Sequence, residues 1–199
     1  MADEYPNFAA LAKERTLHVD YEIVCERRPS PAAVIAPHGG RIEPATSLIA
    51  KTIAADSENL YCFEGLKSER ALHITSPNFD EPQCVALLSQ CSLAVSIHGL
   101  RAETRLDGDI LVGGLDAGLR DSVVKSLNSA GFRASTILEG PFSAVHPMNI
   151  VNRTKSKMGT QIEICRGLRD QLRQDGMALA TFAASIRDAL IGTRKERKL

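Results

Sequence analysis

Residues 32–46 read AAVIAPHGGRIEPAT, and the fold turns on them. AAVIAP is a continuous apolar run closed by Pro37, His38 and two glycines. Such a run suits a strand buried on both faces, as in the middle of an α/β sheet. Thr46 to Ala55, TSLIAKTIAA, carry apolar side chains at helical spacing. A strand, a tight loop with ligand-type side chains and a helix therefore follow one another. In open α/β sheets, ligands bind beyond the strand ends, where such loops diverge.

Outward from this unit the same alternation continues. LHVDYEIV (from Leu17), NLYCFEGL (from Asn59), ALHITSP (from Ala71), SLAVSIHG (from Ser92), ILVGG (from Ile110), FRASTIL (from Phe132) and TQIEIC (from Thr160) read as strands. NFAALAKER, EPQCVALLSQC and the stretch from Asp116 to Ala130 read as helices. Leu168 to Arg194 is helical in character, with a break near Gly176 and a basic, frayed RKERK end. The expected architecture is α/β: a three-layer α/β/α sandwich with a mixed central sheet, built as a single domain over residues 1–199.

Composition narrows the function. Lys and Arg together number 24, as do Asp and Glu, so the net charge is +0. A nucleic-acid binder usually shows a basic excess, because phosphate contacts supply most of its affinity, and no nucleic-acid partner is expected. The five cysteines are odd in number and form no C-x-x-C pair, which is poor material for a disulfide framework or a structural zinc knot. The opening MADEYPNFAALAKERT is acidic and interrupted by Pro6, unlike a secretory leader. No apolar run reaches the ~20 residues that cross a bilayer. A cytoplasmic protein without a membrane partner is expected; nothing in the sequence sets its oligomeric state.

The chemistry-bearing residues sit at strand ends. His38 and Glu43 share one short loop, and His98 ends a second apolar strand beside Gly99. Two imidazoles and a carboxylate around one ion would leave a fourth zinc position for water, the arrangement of a catalytic zinc site. The plainer alternatives are that His38 caps its turn, Glu43 is a solvated charge and His98 is a core histidine bonded to backbone. Other divalent ions suit the same donors. Glu163 shares a strand face with Gln161 and Cys165. A buried carboxylate there is costly unless it is functional, as a base toward water, or ion-paired with Arg166 or Arg169. Asn152, Arg153 and Arg166 are candidates to bind an acidic substrate, since guanidinium grips carboxylate bidentately. Arg41, Arg101 and Arg105 are weaker candidates of that kind. His18, His73 and His146 have no neighbour of ligand spacing and are expected to be structural or exposed.

The strings YEI, APHGGRIEPATSLIA, SIHG, LVGG, NRT and GTQIEICRGLR resemble, in order from Tyr21 to Arg169, those of the poly-γ-glutamate hydrolase family. That family is related in fold to the zinc carboxypeptidases, and some members come from bacteriophages. The resemblance implies a zinc carboxypeptidase-like sandwich, a zinc ion held by His38, Glu43 and His98, and Glu163 as general base. It implies endo-type hydrolysis of γ-glutamyl amide bonds, with an acidic amide or peptide as substrate and release by lysis if the protein is phage-derived. Two departures stand out. Ala45 occupies a position where the family string often has glycine. Four residues separate His38 from Glu43, where zinc carboxypeptidases proper have two. The rival readings are a zinc deacylase acting on a small N-acyl amino acid or cell-wall peptide, and a non-catalytic phage- or replication-associated binding protein.

Overall fold

The computed structural model describes residues 3–67, 71–100 and 110–199. Its strands are β1 (Tyr21–Glu26), β2 (Ala32–Gly40), β3 (Asn59–Gly65), β4 (Leu93–Leu100), β5 (Ile110–Gly113), β6 (Ala134–Thr136) and β7 (Thr160–Cys165). Its helices are α1 (Phe8–Glu14), α2 (Thr46–Ala54), α3 (Pro82–Leu88), α4 (Ala117–Ser129), α5 (Arg166–Gln174) and α6 (Gly176–Arg197). The strands form one 7-stranded sheet in the order β1-β3-β2-β4-β7-β5-β6. The four central strands run parallel, while β1 and the β5–β6 pair run against them, so the sheet is mixed.

Alternation along the central strands builds two apolar layers. Val34, Val95, Ile97, Ile162 and Ile164 face α2, α4, α5 and α6 through Ile49, Ile53, Val123, Leu172, Phe182 and Ile186. Ala33, Ile35, Tyr61, Phe63 and Ala94 face the other way, onto α1, α3 and a 3-10 turn at Ile150–Asn152. Helices on both faces of a mixed sheet give the expected three layers. Both sides of the central strands are buried, which is why β2 and β4 read as unbroken apolar runs.

Three segments differ from their sequence reading. Ala71 to Pro77 is a loop although its apolar residues alternate. Leu72 and Ile74 are buried as the alternation suggests. Its backbone, however, bonds to side chains and turns instead of a neighbouring strand: Thr75 N–H donates to Asp3, and the Ile74 carbonyl meets His38. FRASTIL contributes only a three-residue strand, Ala134–Thr136, at the sheet edge. The basic C-terminus is tied down. Arg194 pairs with Glu58 and Ser30, and Arg197 Nη1 donates to Asp116 Oδ2 at 2.9 Å. Asp116 caps α4 through Leu119 N–H at 3.1 Å and is buried, so the last turn of α6 neutralises a charge that would otherwise be costly. The break near Gly176 lies at Asp175, whose Oδ1 caps α6 by accepting from Met177 N–H and Ala178 N–H.

Candidate metal centre

β2 delivers His38 through an irregularity. Its pairing with β3 shifts register between Ala36 and Gly39, with Pro37, which has no N–H to give a ladder, inside the shift. Strict alternation would turn His38 toward the face of Val34 and Ala36. Instead its ring meets His73, with centroids 4.3 Å apart, and Phe79 at 6.3 Å, on the opposite face. The chain then turns through Gly40 at φ 62° and returns Glu43 to the strand end, where Glu43 N–H donates to the His38 carbonyl at 2.9 Å.

His98 comes from β4, next to β2, on the face opposite Ile97. The rings of His38 and His98 stand 4.8 Å apart at 78°. Glu43 lies between them: Oε1 is 3.2 Å from His38 Nδ1 and Oε2 is 3.7 Å from His98 Nδ1. Oε2 also accepts the Gly99 N–H at 2.8 Å. Among the described residues, His38, Glu43 and His98 form a group whose donor atoms all lie within 4.8 Å of one another, a set that could hold a metal ion.

The far ring nitrogens fit that role. His38 Nε2 is 2.8 Å from the Ile74 carbonyl, so it carries the proton and Nδ1 keeps its lone pair toward Glu43 when the ring is neutral. His98 Nε2 lies 2.7 Å from Ser96 Oγ, a hydrogen bond that holds the ring with Nδ1 toward Glu43. An imidazole ligand anchored through its other nitrogen is the usual support of a metal site.

Charge in the cluster is distributed unevenly. Burial works against ionisation of Glu43, but the charge and hydrogen bond of His38, with His98 and Gly99, hold its carboxyl down at about 2. Burial also acts against protonation of His38, yet Glu43 overrides it and raises the imidazole above its ordinary value. Burial pushes His98 down to about 3, with Glu43 opposing and the charge of His38 assisting. The cluster thus favours an ionised Glu43 and a neutral His98, with His38 the ring that most readily takes a proton.

Glu163 sits on β7 directly opposite His98 in the β4–β7 register. Burial and the Glu43 charge raise its carboxyl well above the usual range, with Gln161 and Arg169 pulling the other way. It forms no ion pair with Arg166 or Arg169; Gln161 Nε2 donates to its Oε1 at 2.9 Å. All four residues open onto a cleft of about 790 Å³, whose rim is formed by Thr75 to Pro77 and by Gly140 to Pro147.

The three expected substrate binders are not on the wall of that cleft. Asn152 is buried behind it, donating to the carbonyls of Ala144 and His146 at 2.8 and 3.0 Å and accepting Gly159 N–H. Arg153 donates to the carbonyls of Met148 and Pro77, bracing both rim loops. Arg166 begins α5 and bonds Asp170 at 2.8 Å. Arg101 and Arg105 lie outside the described residues. Among the described residues no Lys or Arg lines the cleft.

Two residues have places that the sequence did not indicate. His73 lines the cleft against His38 and is held by Asp3, its Nδ1 lying 2.9 Å from Oδ1. Only a loop brings it there, so no spacing signals it. Arg169 is buried and donates to the carbonyls of Ile164, Pro44 and Leu100, tying the ends of β7 and β4 to the loop after β2. A side chain on Gly99 would collide with that guanidinium, which explains the glycine after His98.

Ala45, next to Pro44, has φ 76° and ψ −8°, a left-handed conformation that L-residues other than glycine adopt at a cost of ~1–2 kcal/mol. Glycine relieves the clash but has a larger unfolded-state entropy, worth roughly 0.5–1 kcal/mol. Ala45→Gly is therefore expected to stabilise the protein by about 0.5–1 kcal/mol, raising Tm by roughly 1–4 °C in a thermal scan. A lower Tm would show that the loop is unstrained.

The family described as poly-gamma-glutamate hydrolase matches residues 5–183. The chain belongs to the poly-gamma-glutamate hydrolase family. The UPF0714 protein YndL of Bacillus subtilis (strain 168) is 38% identical over 173 residues, which is 85% of this chain and 67% of YndL. The structure of a bacteriophage poly-gamma-glutamate hydrolase superposes with a TM-score of 0.90 at 34% identity, covering 98% of this chain and 99% of that one. Zinc-free YndL gives 0.87 at 32%, covering 96% and 99%. An N-formylglutamate amidohydrolase from Ralstonia eutropha JMP134, at 14% identity, a TM-score of 0.55 and coverage of 90% and 99%, shares the fold alone. Poly-gamma-glutamate hydrolases are hydrolytic enzymes, so the non-catalytic binding reading falls away.

Proposed function

We propose that this protein is a zinc-dependent hydrolase of γ-glutamyl amide bonds, acting on poly-γ-glutamate or a related acidic peptide. The observation that carries the reading is the convergence of His38 Nδ1, His98 Nδ1 and the Glu43 carboxylate, with their atoms within 4.8 Å, beside Glu163 on the adjoining strand. Two imidazoles and a carboxylate are a zinc donor set with room for a further ligand. Zinc held there would polarise the scissile carbonyl and lower the pKa of a water at the site.

The chain's own residues supply the rest. Glu163 takes a proton from the attacking water and passes it to the leaving amine nitrogen, which must be protonated to depart. Its burial and raised pKa suit a group that has to hold a proton between those two events. His146 offers a donor at the rim. Met148 N–H donates to its Nδ1 at 3.1 Å, which leaves the proton of the neutral ring on Nε2. His146 lines the cleft, and its N–H is the donor we assign to a substrate carboxylate, since no Lys or Arg lines the described wall.

The test is zinc content by elemental analysis, followed by hydrolysis of poly-γ-glutamate, a γ-glutamyl dipeptide and an N-acyl amino acid, before and after chelation. About one zinc per chain is expected, with γ-linked substrates cleaved, activity lost on chelation and regained on adding zinc. Turnover that survives complete chelation would refute the metal role. Cleavage confined to the N-acyl amino acid would refute the substrate.

A further inference from the structure

In the wall of the cleft three polar side chains are connected in series, all of them buried: Asn149, Gln161 and Glu163. The series has a direction, and the backbone sets it. Val151 N–H can only donate, and its acceptor is Asn149 Oδ1 at 3.1 Å. The Asn149 amide nitrogen is thereby turned the other way, and Nδ2 donates to Gln161 Oε1 at 3.0 Å. Gln161 in turn presents Nε2 to Glu163 Oε1 at 2.9 Å. Neither amide can flip without leaving a buried donor facing a donor, which costs roughly 1–3 kcal/mol.

We propose that Asn149 and Gln161 are positioning residues, a relay of fixed polarity that commits Glu163 Oε1 to a hydrogen bond and leaves Oε2 to exchange the proton with water and leaving group. The proposal rests on the reading of Glu163 as the base. A carboxylate with two equivalent, freely rotating oxygens would spend much of its time misaligned, and small errors in placement are expensive in a proton-transfer step. The 3-10 turn at Ile150–Asn152 serves this purpose, because it holds the Val151 N–H that orients the series. Gln161 was visible in the sequence as the residue sharing a strand face with Glu163, but its role depends on Asn149, twelve positions away in a loop.

The test is a double-mutant cycle on the zinc-loaded enzyme, with poly-γ-glutamate as substrate and Glu163→Gln alongside. Gln161→Met keeps the length and removes the donor. Asn149→Asp keeps the size and the bond from Val151 N–H but has no proton for Gln161 Oε1, so Gln161 turns its carbonyl toward Glu163. Each is expected to lower kcat by about tenfold to a hundredfold, the usual cost of losing a residue that supports a catalytic group, with KM and zinc content unchanged. The double variant is expected to be no slower than Gln161→Met alone, because Asn149 acts through Gln161. A merely structural role predicts additive losses, or losses of zinc and of kcat together. Either result overturns the relay, as does kcat within about twofold of the parent in Asn149→Asp, the variant that disturbs packing least. If Glu163→Gln is inactive in those same assays, the base reading stands without the relay; if it is active, both fall.

Discussion

Glu163→Gln is expected to lower kcat by about a hundredfold to ten-thousandfold, the range general acid–base catalysis contributes, while leaving the zinc content at its parent value. The substitution is conservative in shape. The new amide oxygen can still accept from Gln161 Nε2, and nothing in the contacts of His38, Glu43 or His98 changes. What is lost is the capacity to take a proton. Parent-like turnover in this variant would remove Glu163 from the chemistry.

Stability moves in the opposite direction. Glu163 has a folded-state pKa raised above its ordinary value of 4.5 by burial and by the Glu43 charge. As pH rises through 4.5, the unfolded chain therefore releases a proton that the folded one retains. The zinc-free parent loses stability across that interval, and the Gln variant does not. Zinc-free Glu163→Gln should be the more stable protein at neutral pH, with the gap closing below pH 4.5, where both states keep the proton. Thermal scans with chelator at the two pH values check this. A residue that destabilises its own fold while the chemistry needs it is the usual mark of an active site.

The layers and the strand ends were legible in the sequence because their cause is local. β2 and β4 are apolar where both faces are covered, and each carries a histidine followed by glycine at its C-terminal end. Topology was less accessible. β7, late in the chain, enters the sheet between β4 and β5 and pairs with them in opposite senses, which no local pattern encodes. Ala71 to Pro77 carries the alternation of a strand and is none, since its backbone partners are the side chains of Asp3 and His38. The positions of the guanidinium groups were hidden for a related reason. Arg153 and Arg169 have the chemistry to grip a carboxylate, but the fold uses their donors on loop carbonyls, a demand visible only once those loops are in place.

His98→Ala and His38→Ala are both expected to reduce zinc from about one per chain to below roughly a tenth after dialysis, because two remaining donors seldom hold the ion against solvent, and to abolish hydrolysis with it. They should differ in how the parent's binding depends on protons. Without zinc, Glu43 raises His38 above 6.5 and favours its protonation, whereas His98 is neutral with a pKa of about 3. Zinc requires His38 Nδ1 to give up that proton, so binding at pH 6.5 should release more than half a proton per ion from this ring. Apparent affinity should then rise with pH until His38 is deprotonated in the zinc-free protein, and level off above that point. Titration calorimetry of the zinc-free parent in buffers of different ionisation enthalpy measures the released proton. A proton count near zero at pH 6.5 would mean that the His38–Glu43 pair is not what zinc displaces. Retention of zinc by His98→Ala would move the centre away from β4 altogether.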